Sequence, residues 1–314
     1  MAAVEMKKDS KIYVAGHRGL LGSAVKRHLE KDGHTNLLLR TSAELDLSEQ
    51  AATFAFLERE KPDFAFLCAA KVGGIKANAD ALGEFLYKNL QIQNNVIEGA
   101  RRSGVKKLLF VGSSCIYPKE TPVPIRESQL LSGPLEATNE GYALAKIAGI
   151  RMCQFYRRQY GCDFISAIPS NLYGISDNYD LTTAHMLPAL IRKVHEAKAK
   201  SDPVVEVWGT GKPRREFLLS DDCADALVFL MHNYSEESPV NVGSGVDATI
   251  LELLDSVTKV LEVKARIKMD SSKPDGVMRK LVDVSRLSAM GWKPKYTLEQ
   301  GIAIAYEDFR KRFP

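Results

Sequence analysis

Three features of the sequence predict a doubly wound α/β fold, a parallel sheet with helices on both faces and a smaller mixed α/β lobe. Short apolar runs alternate with helix-like stretches through the first half of the chain. The runs are continuously apolar rather than alternating, as in strands buried on both faces. The first run ends in a glycine turn, G-x-x-G-x-x-G, that opens directly into a helix.

The elements follow in order. KIYVAG (11–16) is a strand, GSAVKRHLEKDG (22–33) a helix stopped by glycine, and NLLLR (36–40) the second strand. SEQAATFAFLEREKP (48–62) is a helix stopped by proline. DFAFLCAA (63–70), KKLLFVGSS (106–114) and DFISAIPSN (163–171) are strands, separated by the long helices at 84–104 and 140–161. Beyond about residue 172 the rhythm breaks. YGISDNYDLTTAH is polar and irregular, MLPALIRKVHEAKAK is a helix and VVEVWG a strand. SDDCADALVFLMHN is a helix expected to return to the first lobe, and LELLDSVTKVLE and LEQGIAIAYEDFRKRF are amphipathic helices. The expected organisation is a flexible arm at 1–10, a dinucleotide-binding domain of 11–172 plus about 213–242, and a substrate-binding domain of about 173–212 plus 243–314.

The 314 residues are 45% hydrophobic and 26% charged, with a net charge of +4, an ordinary globular composition. The charge is small and scattered, which argues against nucleic acid. No apolar run approaches the ~20 residues of a membrane span. MAAVEMKKDSK has no apolar core and does not read as a secretory signal. The cysteines, Cys68, Cys115, Cys153, Cys162 and Cys223, are odd in number, without a zinc spacing, and fit free thiols in a reducing cytoplasm.

In the glycine turn, Gly16 makes the bend, Gly19 lets backbone N–H groups approach a pyrophosphate, and Gly22 lets helix and strand pack closely. This is Rossmann-like dinucleotide chemistry, with His17, Arg18, Leu20 and Leu21 lining the same turn. At the end of the second strand, where NAD enzymes carry an acid, this chain has Arg40. A guanidinium favours a 2′-phosphate, so the expected cofactor is NADP(H), with Arg18 assisting. Asp46 and Leu47 are expected beside the adenine.

Tyr142 and Lys146 form Y-x-x-x-K on one helix face. An ammonium beside a phenol is expected to lower its pKa from about 10, readying it to exchange a proton with a carbonyl oxygen. Ser113, at the end of the preceding strand, would supply another hydrogen bond. With the glycine turn upstream, these residues resemble the extended, sugar-nucleotide branch of the short-chain dehydrogenase/reductase superfamily.

Cys115 sorts the branch. Dehydratases carry an acidic pair near this position, whereas this chain reads Ser113-Ser114-Cys115-Ile116-Tyr117-Pro118. This stretch resembles the GDP-L-fucose synthase family, the GDP-4-keto-6-deoxy-mannose 3,5-epimerase/4-reductases. The likeness extends through AAKVGGI (69–75), YALAKIAGI (142–150), NLYG (171–174), VWGTG (207–211), REFL (215–218) and KPDG…RKLVD (273–283). It implies that Cys115 and His185 exchange protons on opposite faces of a keto-sugar. It further implies cofactor contacts at Ala69, Ala70, Lys146, Pro169, Asn171, Leu172 and His185, and GDP-sugar contacts at Lys193, Trp208, Arg215 and Asp275. A homodimer through the two long helices is also expected, with Ile147, Ile150, Met152 and Phe155 assignable to either interface or core. The chain departs from the family at GISDNYDLTTAH and at Lys193, where arginine is usual. A 4-reductase acting on a related GDP-keto-deoxysugar is therefore the alternative, and a non-catalytic NADP-binding regulator a more distant one.

Overall fold

The computed structural model describes residues 5–198, 203–270 and 276–313, apart from the side chain of Trp208. The first half builds β1 (Ile12–Ala15), α1 (Leu20–Lys31), β2 (Leu37–Leu38), α2 (Gln50–Glu60), β3 (Phe64–Leu67), α3 (Ile75–Asp80), α4 (Leu82–Ser103), β4 (Lys107–Val111), α5 (Glu140–Tyr160) and β5 (Asp163–Pro169). The second half adds β6 (Asn171–Tyr173), α6 (Met186–Lys198), β7 (Val204–Trp208), β8 (Arg214–Leu219), α7 (Ser220–Asn233) and β9 (Val240–Val242). It ends with β10 (Asp247–Thr249), α8 (Ile250–Leu261), β11 (Arg266–Asp270), β12 (Arg279–Lys280), α9 (Ser285–Ala289) and α10 (Leu298–Arg312).

The main sheet runs β2-β1-β3-β4-β5-β9, with every pairing parallel. Its continuously apolar strands are buried on both faces: Ile12, Val14, Phe66, Leu108, Leu109 and Phe110 are 0% exposed. Burying each such side chain is worth about 1.5–3 kcal/mol. One face packs against α1 and α7, the other against α2, α4 and α5. The chain moves from β1 out to β2 and then back past β1 to β3, so the strand order reverses beside β1. In open α/β sheets the crevice at such a reversal, at the carboxyl ends of the strands, is where ligands bind.

A third core joins α6, α8, α10 and the smaller sheets. One of these has the order β10-β8-β12, with β6 pairing β8, and the other pairs β7 with β11. The expected free arm is shorter than ten residues. Met6 is 3% exposed within the first core, and Thr35 donates its N–H to the Lys8 carbonyl.

Candidate active site

β1 delivers the chain to Gly16, whose φ is +82° and where a Cβ would stand 2.8 Å from the Ala69 backbone. At Gly22 a Cβ would collide with the Gly16 carbonyl. Both positions therefore require glycine. The turn closes through Gly19 N–H to Gly16 O at 3.0 Å, and α1 starts with no side chain capping it. Its first N–H groups are left for an anion. Burial, with Lys26 and Arg18 nearby, pushes the His17 pKa down. Arg18 is exposed and Leu20 half-buried, while Leu21 is packed in the core.

Arg40 is half-buried, with its guanidinium 5.5 Å from the centre of the Phe56 ring and 3.8 Å from the Glu60 carboxylate. The nearby acids are turned inward on their own loop. Glu44 accepts from Thr41 N and Oγ1, each at 2.8 Å, and Asp46 accepts from Ser48 N at 2.9 Å and Oγ at 2.7 Å. Leu47 is buried in the core, its carbonyl accepting from Asn95 Nδ2 at 3.0 Å. Ala69 and Ala70 line the exit of β3, half-buried. Pro169 ends β5, Leu172 packs beside the first core, and Asn171 Nδ2 donates to Glu216 O at 2.7 Å. The cradle suits a dinucleotide: close-packed glycines, free helix N–H groups, and an arginine where an acid would repel a 2′-phosphate.

β4 leads into a short 3₁₀ turn, Ser114–Ile116, capped by Ser113. The Cys115 thiol donates to Ser113 Oγ at 3.2 Å, and the Cys115 N–H reaches the same oxygen at 3.4 Å. Tyr142 and Lys146 sit one turn apart on α5. The Lys146 ammonium donates to Val111 O at 2.8 Å and lies 4.8 Å from the Phe110 ring centre and 5.7 Å from that of Tyr142. Burial pushes its pKa down to about 8.

The expected lowering of the Tyr142 phenol does not occur in the protein alone. Burial pushes its pKa up, the Cys115 thiolate would push it further, and the Ser113 hydrogen bond pulls it back. The ammonium is directed at a carbonyl rather than at the phenol, so desolvation wins. The Cys115 thiol is likewise pushed up by burial, with Lys280, Ser113 and Lys146 opposing.

Lys280 was not singled out from the sequence. It lies on β12, in register with Arg215 on β8, which aligns the two cations. Burial depresses its pKa, the Cys115 thiolate would raise it, and Arg215 lowers it. A lysine drawn out of water beside a cysteine is a functional signature that only tertiary structure reveals. Arg215 donates to Arg214 O at 2.9 Å, and Lys193 on α6 to Glu206 O at 3.2 Å. Trp208 ends β7, its backbone paired with Asp270, and Asp275 lies outside the described residues.

His185 stands immediately before α6, its carbonyl accepting the Ala189 N–H at 3.1 Å. Two residues earlier the Thr183 carbonyl accepts from Gly74 N at 3.1 Å, which fixes this wall against the loop leaving β3. The ring keeps access to solvent, and the protein packed around it pushes its pKa down. The five cysteines are free, and burial holds Cys68 and Cys153 up at about 12.

Residues 12–243 match the NAD dependent epimerase/dehydratase family. A protein of Arabidopsis thaliana named "Putative GDP-L-fucose synthase 2" is 56% identical over 302 residues, 96% of this chain and 92% of that one. The crystal structure of a GDP-L-fucose synthetase from Naegleria fowleri bound to NADP has a TM-score of 0.92 at 29% identity, covering 99% of this chain and 96% of that one. A GDP-6-OMe-4-keto-L-xylo-heptose reductase from C. jejuni has a TM-score of 0.92 at 36% identity, covering 98% of this chain and 100% of that one. The chain belongs to the NAD dependent epimerase/dehydratase family, in the group of the GDP-L-fucose synthases.

Proposed function

We propose that this protein epimerises GDP-4-keto-6-deoxy-D-mannose at C3 and C5 and reduces it at C4 to GDP-L-fucose, using NADPH. The observation that carries the reading is the place of Cys115. Its sulfur is 3.2 Å from Ser113 Oγ and within electrostatic reach of Tyr142, Lys146 and Lys280. A 4-reductase alone has no use for a thiol there.

A 4-keto group acidifies the hydrogens on C3 and C5. Removing one leaves an enolate, whose oxygen Tyr142 and Ser113 hold by hydrogen bonds. Returning the proton from the other face inverts the carbon, so two proton-exchanging groups are needed, and Cys115 and His185 fill those roles. Lys280 favours the thiolate and so offsets the desolvation of Cys115. Bound NADPH supplies the hydride to C4. Tyr142 gives the matching proton to O4, with Lys146 placing positive charge beside it. Arg40 and Arg18 fit the 2′-phosphate, and Arg215, Lys280 and Lys193 fit the GDP-sugar, together with Trp208 and Asp275. The cofactor lobe comprises 11–172 plus about 213–242, and the remainder beyond 172 forms the substrate lobe.

The protein is read as a cytoplasmic homodimer. Among the described residues no helix is long and apolar enough to cross a membrane. Leu144, Phe155 and Tyr160 on α5 and Tyr87 on α4 are exposed apolar residues suited to a two-fold contact, whereas Ile147 and Ile150 are core.

The test is Cys115→Ser, incubated with the keto-sugar nucleotide and NADPH. The reading expects epimerised product to fall by about 10²-fold or more while NADPH oxidation continues to a non-epimerised hexose. Unchanged epimerisation would overturn it. The rewritten DLTTAH approach and the likeness to a heptose reductase favour a second reading, a 4-reductase of a related GDP-keto-deoxysugar.

A further inference from the structure

His185 is carried by a twelve-residue stretch without helix or strand, from Gly174 to His185. Its first part is fastened to the last helix of the chain. Ser176 holds a left-handed φ of +67°, a conformation that disfavours a side chain, and its N–H donates to Asp308 Oδ2 at 3.0 Å. Arg312 Nη1 donates to the Asp177 carbonyl at 2.9 Å and to Asp308 Oδ2 at 3.1 Å. One carboxylate thus binds both the strained residue and the arginine that holds its neighbour. Tyr179 is 1% exposed, donates to Ala305 O at 3.0 Å and packs edge-on against Phe309 at 4.7 Å.

From that anchor the restraint passes along the segment toward the imidazole. Asn178 Nδ2 donates to Thr183 Oγ1 at 2.8 Å, and Arg192 on α6 donates to Tyr179 O at 3.0 Å. The Asp180 carboxylate accepts the N–H groups of Thr182 at 2.9 Å and Thr183 at 3.1 Å, and its carbonyl accepts Ala184 N–H at 2.7 Å. Gly74 then closes on the Thr183 carbonyl at 3.1 Å. Anchor and turn leave few free torsions before His185. The helix is itself firmly placed, with a reciprocal Thr297–Gln300 cap and Ile302, Ala305 and Phe309 buried.

We propose that Asp308 and Arg312 are positioning residues for His185: the latch they form with Ser176 and Asp177 sets where the imidazole stands. The proposal rests on the reading that His185 exchanges a proton with the sugar. A misplacement of about 1 Å can lower a proton-transfer step by about 10²-fold.

The experiment compares full-length wild type with Asp308→Ala, Arg312→Gln, Arg312→Lys and His185→Gln. Each receives GDP-4-keto-6-deoxy-D-mannose and NADPH in deuterated water. The readouts are the epimerised share of the reduced hexose, label at C3 and C5, NADPH affinity and thermal midpoint. The latch predicts that Asp308→Ala and Arg312→Gln lower the epimerised share about tenfold or more, in the direction of His185→Gln. NADPH affinity should fall no further than it does in His185→Gln, and Arg312→Lys should give an epimerised share between those of Arg312→Gln and wild type. Should Asp308→Ala fail to fold, Arg312→Gln decides alone, since the Ser176–Asp308 bond survives in it. An unchanged share with His185→Gln defective overturns the latch. Total turnover falling at constant share also overturns it, as the mark of general destabilisation. His185→Gln with a wild-type share overturns the underlying reading and the latch with it.

Discussion

Asp177 offers a thermodynamic prediction that needs no substrate. It is 4% exposed, and its Oδ2 is buried with no hydrogen bond among the described residues. Arg312 reaches its backbone carbonyl at 2.9 Å rather than its carboxylate, and the Asp308 carboxylate opposes ionisation. Burial, partly offset by hydrogen bonds from the Asn178 and Gly174 backbone and by Arg312, pushes the pKa from 3.8 up to about 7. A carboxyl whose folded pKa is raised favours folding at low pH, fully below the unfolded value, and that contribution is lost as pH climbs through about 7. The gap from 3.8 to about 7, at about 1.4 kcal/mol per pH unit, corresponds to roughly 4 kcal/mol in full. About 2.5 kcal/mol of it falls between about pH 5 and pH 8. Asp177→Asn keeps the shape and removes the titration. Urea unfolding of both proteins across that range should show wild type losing about 2.5 kcal/mol relative to the variant, with a constant difference above about pH 8. Two parallel stability curves would refute the reasoning, because the carboxyl would then be ionised and solvated in the folded state.

Two further outcomes concern the cofactor cradle. Gly22→Ala drives a Cβ into the Gly16 carbonyl and should weaken NADPH binding by about tenfold or more, read by fluorescence titration; retained affinity would mean that the turn gives way without cost. Arg40→Ala should weaken NADPH by about tenfold while leaving NADH within about twofold, and equal losses for both would remove Arg40 from the 2′-phosphate.

The parallel sheet was legible because β1, β3, β4 and β5 are buried on both faces, and that burial writes itself as unbroken apolar runs. The glycine turn was legible because its backbone geometry admits few residues. β6 and β12 were not, since three and two residues carry no periodicity and pairing with β8 alone defines them. Ile75–Asp80 was missed for a similar reason: six residues are too few for a helical repeat. At the site, spacing brought Tyr142 and Lys146 to one helix face, yet it could not show that the ammonium turns to Val111 O. Lys280 acts on the Cys115 thiol from 165 positions away in the sequence, a proximity that no local pattern announces. The latch on the His185 segment joins residues more than 130 positions apart, and no local pattern announces it.

The proposed reaction requires that carbon–hydrogen bonds at C3 and C5 open before the carbonyl is reduced. Wild-type protein, GDP-4-keto-6-deoxy-D-mannose and NADPH in deuterated water give a product whose labelled positions answer this by NMR. Epimerisation at both carbons followed by reduction leaves deuterium at both C3 and C5 of an L-configured hexose. A reduced product carrying label at neither carbon would contradict it and leave a 4-reductase.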